Sequence, residues 1–195
     1  MRIKNRNSRN FINAIGALFG RPNIAFPVIP DDGRILFFRR DRRDFGFLSN
    51  FFRCKIQVDG REWPHNEAYY QSQKSENPDY LHEICKREHP AWAKFVGDSR
   101  IGHPKIARKS WFRKHPDDLR ADWDMIKVEV MRKALHAKFF QNERLKLALL
   151  NTDQAELVED SRSDFIWGCG EDGSGGNMLG ILLMEVRSQI QEDVL

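Results

Sequence analysis

Residues 63–74, Trp-Pro-His-Asn-Glu-Ala-Tyr-Tyr-Gln-Ser-Gln-Lys, constrain the fold more than any other stretch. Pro64 suits the first turn of a helix, where its missing N–H would have had no partner. At helical spacing Trp63, Glu67, Tyr70, Gln71 and Lys74 share one face. A carboxylate, a phenol, an amide and an amine beside an indole do not make hydrophobic core. The face reads either as the wall of a polar, aromatic-lined pocket or as a solvated stripe with Glu67 and Lys74 in ordinary ion pairs.

At 195 residues and 41% hydrophobic, the chain fits one domain with a sizeable core. Its apolar runs are short and interrupted by charge, whereas a membrane span needs about 20 apolar residues in a row; no membrane partner is expected. Three cysteines, Cys54, Cys85 and Cys169, are scattered and odd in number. They make no disulfide framework and fit a reducing, intracellular compartment, cytoplasmic or nuclear. The net charge of +4 is unevenly placed: residues 1–30 hold Arg2, Lys4, Arg6, Arg9 and Arg21 and no acid, so the rest is close to neutral. Residues 1–33 therefore read as a basic N-terminal arm and linker, and 34–195 as the domain. Phe11, Ile12, Ile15, Leu18 and Phe19 give the arm an amphipathic stripe, as in an organellar targeting segment, a docking helix or a tail. No obligate protein partner is evident.

A second basic concentration lies within residues 84–115. Lys86, Arg87, Lys94, Arg100, Lys105, Arg108, Lys109, Arg113 and Lys114 face only Glu88 and Asp98, with Trp92, Phe95, Trp111 and Phe112 interleaved. Cations among aromatics suit a phosphate-bearing ligand or a nucleic-acid strand, and equally a solvated surface around core rings.

Strands are expected over 35–38, 51–58, 157–158 and 165–167, with Asp59-Gly60 as a hairpin turn. Helices are expected over 64–76, 79–86, 90–96, 120–141, 142–150 and 177–190. Strands segregated among many helices define an α+β fold, mostly helical with a small sheet. Gly168-x-Gly170-x-x-Gly173 has the form of a dinucleotide loop, but the rest of the βαβ unit has no room after it. His65-x-Glu67 lacks the P-C-x-x-C half of a zinc deaminase, and the histidines are dispersed, so neither metal nor cofactor is expected.

Residues 164–180 carry a polar, glycine-rich stretch leading into a helix, with Asn177 as N-cap candidate. Glycines permit positive φ and close approach, so successive backbone N–H groups can turn toward an anion while Trp167 stacks on a base or shields a sugar. The alternative is a glycine-rich surface turn.

Several of these segments, in order, resemble signatures of the NADAR (YbiA-like) family. They are Phe47-Leu-Ser49-Asn50-Phe51, the 63–74 segment, Arg120-x-Asp122-Trp123, Lys138-Phe139, Leu157-Val-Glu159, the 164–180 stretch and Leu183-Met184-x-Val-Arg187. The resemblance runs from about residue 38 to residue 187 and leaves the arm outside. Ala68 stands where the family often has His, and Phe52-Arg53 where it has an aromatic followed by Pro.

The resemblance implies a compact α+β fold and metal-independent hydrolysis of N-glycosidic bonds. The implied substrates are ribosylated nitrogen compounds: phosphoribosylamino-pyrimidine intermediates of riboflavin synthesis, or ADP-ribosylated guanine in nucleic acid. The basic segment and the arm tilt the reading toward the second; a non-catalytic ADP-ribose or nucleotide-binding module is the rival class. Breaking a ribose C1–N bond builds positive charge on the sugar. Glu67 is the first candidate to stabilise it or move protons, with Asp164 as second carboxylate. Lys74 is expected to act as an acid, to contact phosphate, or to attack C1 as an amine. In a helix the Cα atoms of Glu67 and Lys74 would lie roughly 10 Å apart. Trp123 and Trp167 are expected to stack or exclude water, and Ser49, Asn50 and Asn177 to bind hydroxyls or phosphate. Phe47, Trp63, Tyr70, Gln71, Arg108, Gly168, Gly170 and Gly176 complete the expected binding set.

Overall fold

The structure is a computed structural model that describes residues 27–38, 44–86, 88–100 and 108–194, without the side chain of Val194. The amphipathic stripe of the arm, Arg87 and Lys105 lie outside the described residues. The chain divides into two compact units, one drawn from residues 1–49 and 142–195 and the other from residues 50–141.

In the 50–141 unit, β1 (Ile56–Val58) and β2 (Arg61–Trp63) form an antiparallel hairpin with Ile56 opposite Trp63. Asp59 and Gly60 turn it at φ 53° and 74°, the left-handed pair of a tight two-residue hairpin. The strand expected over 51–58 is thus only its last three residues, because the rings before it meet helices: Lys94 lies over Phe51 and Lys138 over Phe52. Helix α1 (Asn66–Ser72) starts after Pro64, since His65 is the cap: its Nδ1 accepts from the Ala68 N–H at 3.0 Å. Trp63 is therefore a strand residue and not part of the helical face. Two further helices follow the expectation closely, α2 (Pro78–Cys85) and α3 (Pro90–Val96), each with proline in the first turn and capped by Asn77 and His89. Helix α4 (Trp123–Phe140) is the longest of the unit. All seven residues of α1 are buried, with α2, α3 and α4 packed around it. Ala68 and Tyr69 join Ile56, Trp63, Tyr80 and Phe112 in one apolar cluster.

In the other unit, β3 (Arg34–Phe37) pairs in parallel with β4 (Glu156–Glu159), Ile35 beside Leu157. Parallel partners require a long crossover, and residues 50–141 lie within that connection. Helix α5 (Glu143–Leu150) precedes β4, and α6 (Met178–Val194) packs on it with Leu179, Leu182, Leu183, Val186 and Ile190 buried. Gly180 permits the approach: a Cβ there would stand 2.0 Å from the Leu157 carbonyl oxygen. No strand forms over 165–167, where the chain turns. The reason is local: Asp164 Oδ1 takes the N–H groups of Ile166 and Trp167, and Met178 and Leu179 donate to these residues' carbonyls. The α+β, mostly helical fold is as expected, with the strands in two pairs. Among the described residues no helix is long and apolar enough to cross a membrane.

Candidate functional site

The 50–141 unit buries an acid and an amine on and just beyond α1. Glu67 and Lys74 are 5% and 6% exposed, and Gln71 between them is 5% exposed. Gln71 Nε2 donates to Glu67 Oε1 at 2.8 Å, the i,i+4 contact of one helical face. The helix ends at Ser72, so Lys74 sits in the following turn, its N–H bonded to the Gln71 carbonyl. Lys74 Nζ donates to the Gly97 carbonyl at 2.6 Å and reaches Ser99 Oγ at 3.5 Å. The ammonium also lies 5.4 Å from the Trp123 ring centre and 5.7 Å from that of Tyr70, and the two rings meet edge to face.

Burial lowers the Lys74 pKa from 10.5 to about 8. The charges of Glu67 and Asp98 oppose this fall, while Lys94 and Arg100 add to it. An amine near pH 8 is available as a base or nucleophile far more than an ordinary lysine.

The Arg120-x-Asp122-Trp123 segment positions the indole. The Arg120 N–H donates to the Lys74 carbonyl at 2.9 Å, and its guanidinium grips Asp122 through two contacts of 2.9 Å. Asp122 directly precedes α4, whose first residue is Trp123. Gly97, which the sequence reading missed, holds the other wall: a Cβ there would stand 2.1 Å from Gln71 Oε1. Its signal was available as the glycine that stops α3, but nothing local links it to the 63–74 segment.

Trp63 does not join this wall. It ends β2, its indole N–H donates to the Val58 carbonyl at 3.3 Å, and it packs edge to face on Tyr69. Asn50 is buried and donates to Met131 Sδ at 2.9 Å. Arg108 is exposed in a turn, as are Lys94 and Arg100 on their segments.

In the other unit Phe47 and Ser49 are buried, and the glycine stretch departs from the expected anion cradle. The N–H groups of Gly175, Gly176, Asn177, Met178 and Leu179 all donate to carbonyls of residues 165–169, so the entry to α6 keeps none of these five for a phosphate. The glycines serve close packing instead: a Cβ on Gly168 would meet Ser161 at 2.6 Å, and one on Gly175 the Gly168 carbonyl at 2.4 Å. Gly170 takes φ 72° against the Phe165 ring, while Gly176 donates to the Phe165 carbonyl. Asn177 precedes α6 and its carbonyl accepts the Ile181 N–H at 3.0 Å, but its side chain does not cap the helix. Its Nδ2 donates to the Leu157 carbonyl and its Oδ1 accepts from the Glu159 N–H, both at 2.9 Å, so both polar atoms clamp β4. Asp164 orders the turn through its two backbone contacts, and Trp167 is half-buried.

The family model of the NADAR domain matches residues 36–191. N-glycosidase YbiA of Escherichia coli (strain K12) is 41% identical over 147 residues, covering 75% of this chain and 82% of that protein. A riboflavin biosynthesis protein of Vibrio vulnificus (strain YJ016) is 38% identical over 157 residues, 80% of this chain but 39% of that longer protein. The NMR structure of E. coli YbiA superimposes with a TM-score of 0.69 at 39% identity, covering 85% of this chain and 89% of that one. The class is that of the glycosidase hydrolases acting on N-glycosyl bonds. Within it the chain belongs to the NADAR family, alongside the YbiA N-glycosidases.

Proposed function

We propose that this chain hydrolyses the ribose C1–N bond of a phosphate-bearing ribosylamine, with Lys74 and Glu67 as catalytic residues. The observation that carries the proposal is the buried Lys74 amine, shifted to about 8 and held beneath Trp123 and Tyr70 within the field of Glu67. A surface ion pair would leave lysine near its ordinary value.

In the proposed route the nitrogen lone pair of the ribosylamine opens the sugar, the ring oxygen taking a proton as C1 becomes an imine. Neutral Lys74 adds through Nζ to C1, the C1–N bond to the base breaks, and the base leaves as an amine after protonation. Water then hydrolyses the lysine imine, releasing the sugar phosphate and regenerating the amine. Glu67 supplies negative charge beside the cationic intermediates and exchanges these protons. Trp123 and Tyr70 keep water from the amine and preserve its low pKa.

The substrate favoured is a phosphoribosylamino-pyrimidine. A related Vibrio protein carries riboflavin biosynthesis in its name. A second reading, an ADP-ribosylated base in nucleic acid, draws support from the exposed cations Lys94 and Arg100, whose charges act on Lys74, and from exposed Arg108 and Lys109 in the same basic segment. Side-by-side assays on both substrates test the choice. Release of ribose 5-phosphate from the pyrimidine with little salt dependence supports the first; cleavage confined to modified nucleic acid, weakening steeply with salt, supports the second.

A further inference from the structure

Asn66 has no part in the chemistry above, yet its side chain is poorly satisfied. It is 1% exposed, and its Oδ1 has no hydrogen-bond partner among the described residues. Its Nδ2 reaches Asn50 Oδ1 only at 3.5 Å. Asn50, 7% exposed, in turn donates to the thioether of Met131, a weak acceptor. Two neighbouring buried amides thus leave one oxygen unpartnered and one N–H on sulfur. Folded proteins rarely keep such groups, because an apolar side chain of similar shape avoids their desolvation cost.

We propose that Asn66 and Asn50 form a subsite that reads the 2-hydroxyl of the substrate ribose. A hydroxyl both donates and accepts: its O–H goes to Asn66 Oδ1, and its oxygen accepts from Asn50 Nδ2 in place of the sulfur. A phosphate or carboxylate would set lone pairs against Asn66 Oδ1. Asn66 lies one turn before Tyr70 on the same side of that buried helix, the Tyr70 ring centre lies 5.7 Å from the Lys74 amine, and the 2-hydroxyl adjoins C1, where Lys74 is assigned to attack. Asn66 is a positioning and specificity residue, selecting ribosyl over deoxyribosyl compounds.

This inference takes its ligand class from the glycosidase reading, so its test measures binding apart from turnover. Calorimetric titration of the full chain with ribose 5-phosphate and with 2-deoxyribose 5-phosphate is expected to show about a tenfold preference for the ribose compound. Asn66→Leu should abolish the preference while the melting temperature holds or rises, because the unpartnered oxygen is gone; Asn66→Ala serves if leucine does not fit. A preference undiminished in either folded variant, equal affinities in the unsubstituted chain, or no binding of either sugar phosphate overturns the subsite. Selective binding without turnover of any ribosylated substrate would sink the glycosidase reading alone. Turnover without ribose preference would sink this subsite alone.

Discussion

The Lys74 ammonium lies 5.4 Å from the centre of the Trp123 ring, and that relationship organises the site. It is produced by two anchors distant in sequence: the Arg120 N–H on the Lys74 carbonyl, and Lys74 Nζ on the Gly97 carbonyl. The ring excludes water from a group that burial already makes less basic.

The rate should follow the neutral fraction of that amine. With Lys74 lowered to about 8, kcat is expected to rise with pH and level off above about pH 8, as measured by base release at saturating substrate. A rate flat from pH 6 to 9 would remove the amine from the rate-limiting chemistry.

Gly97→Ala is expected to act through Gln71. The added Cβ would stand 2.1 Å from Gln71 Oε1, so the side chain must swing away and release Glu67 Oε1, which it now holds at 2.8 Å. We expect a kcat loss of about tenfold or more with a stability cost of about 1–3 kcal/mol. Full activity in the alanine variant would show that Gln71 does not set the position of Glu67.

Asn177→Ala should behave as a structural change. It removes both contacts on β4, from the Leu157 carbonyl and the Glu159 N–H, at about 1–3 kcal/mol each. Thermal unfolding should fall while KM in the folded protein stays within about twofold, since an interaction outside the site leaves uniform binding untouched. A large rise in KM at unchanged stability would return Asn177 to substrate binding.

Stability itself should climb in the alkaline range. Lys74 and Lys138 are both lowered from 10.5 to about 8, each chiefly by burial. Between about pH 8 and the unfolded value of 10.5, the unfolded chain therefore holds protons that the folded one has released, and unfolding free energy rises with pH. The cost of the two buried charges is fully present below about pH 8. Denaturant titrations at pH 8 and pH 10 should show this rise, reduced in Lys138→Met; an equal rise in that variant would deny Lys138 its share.

Much of the site was legible because it is local. Glu67 and Gln71 fall on one helical face by spacing alone, with Lys74 in the turn that follows, and the Arg-x-Asp-Trp segment announced Trp123. Trp63 misled because Pro64 looks like a helix opener, while the capping done by His65 Nδ1 depends on a ring orientation that spacing does not encode. The glycine stretch misled for a related reason. Glycines show that backbones approach closely, but not whether the approaching group is a phosphate or, as found, the carbonyls of residues 165–169. Gly97 and Asn66 were invisible because their meaning lies in Gln71 Oε1 and in Asn50, neighbours that come from other segments of the chain.

The most direct measurement of the central claim is release of ribose 5-phosphate from a phosphoribosylamino-pyrimidine by the full chain and by Lys74→Met, which keeps the buried stem and removes the amine. The account predicts turnover by the first and a loss of about 10²-fold or more in the second, with the same melting temperature or a higher one. Equal rates from the two proteins would contradict it.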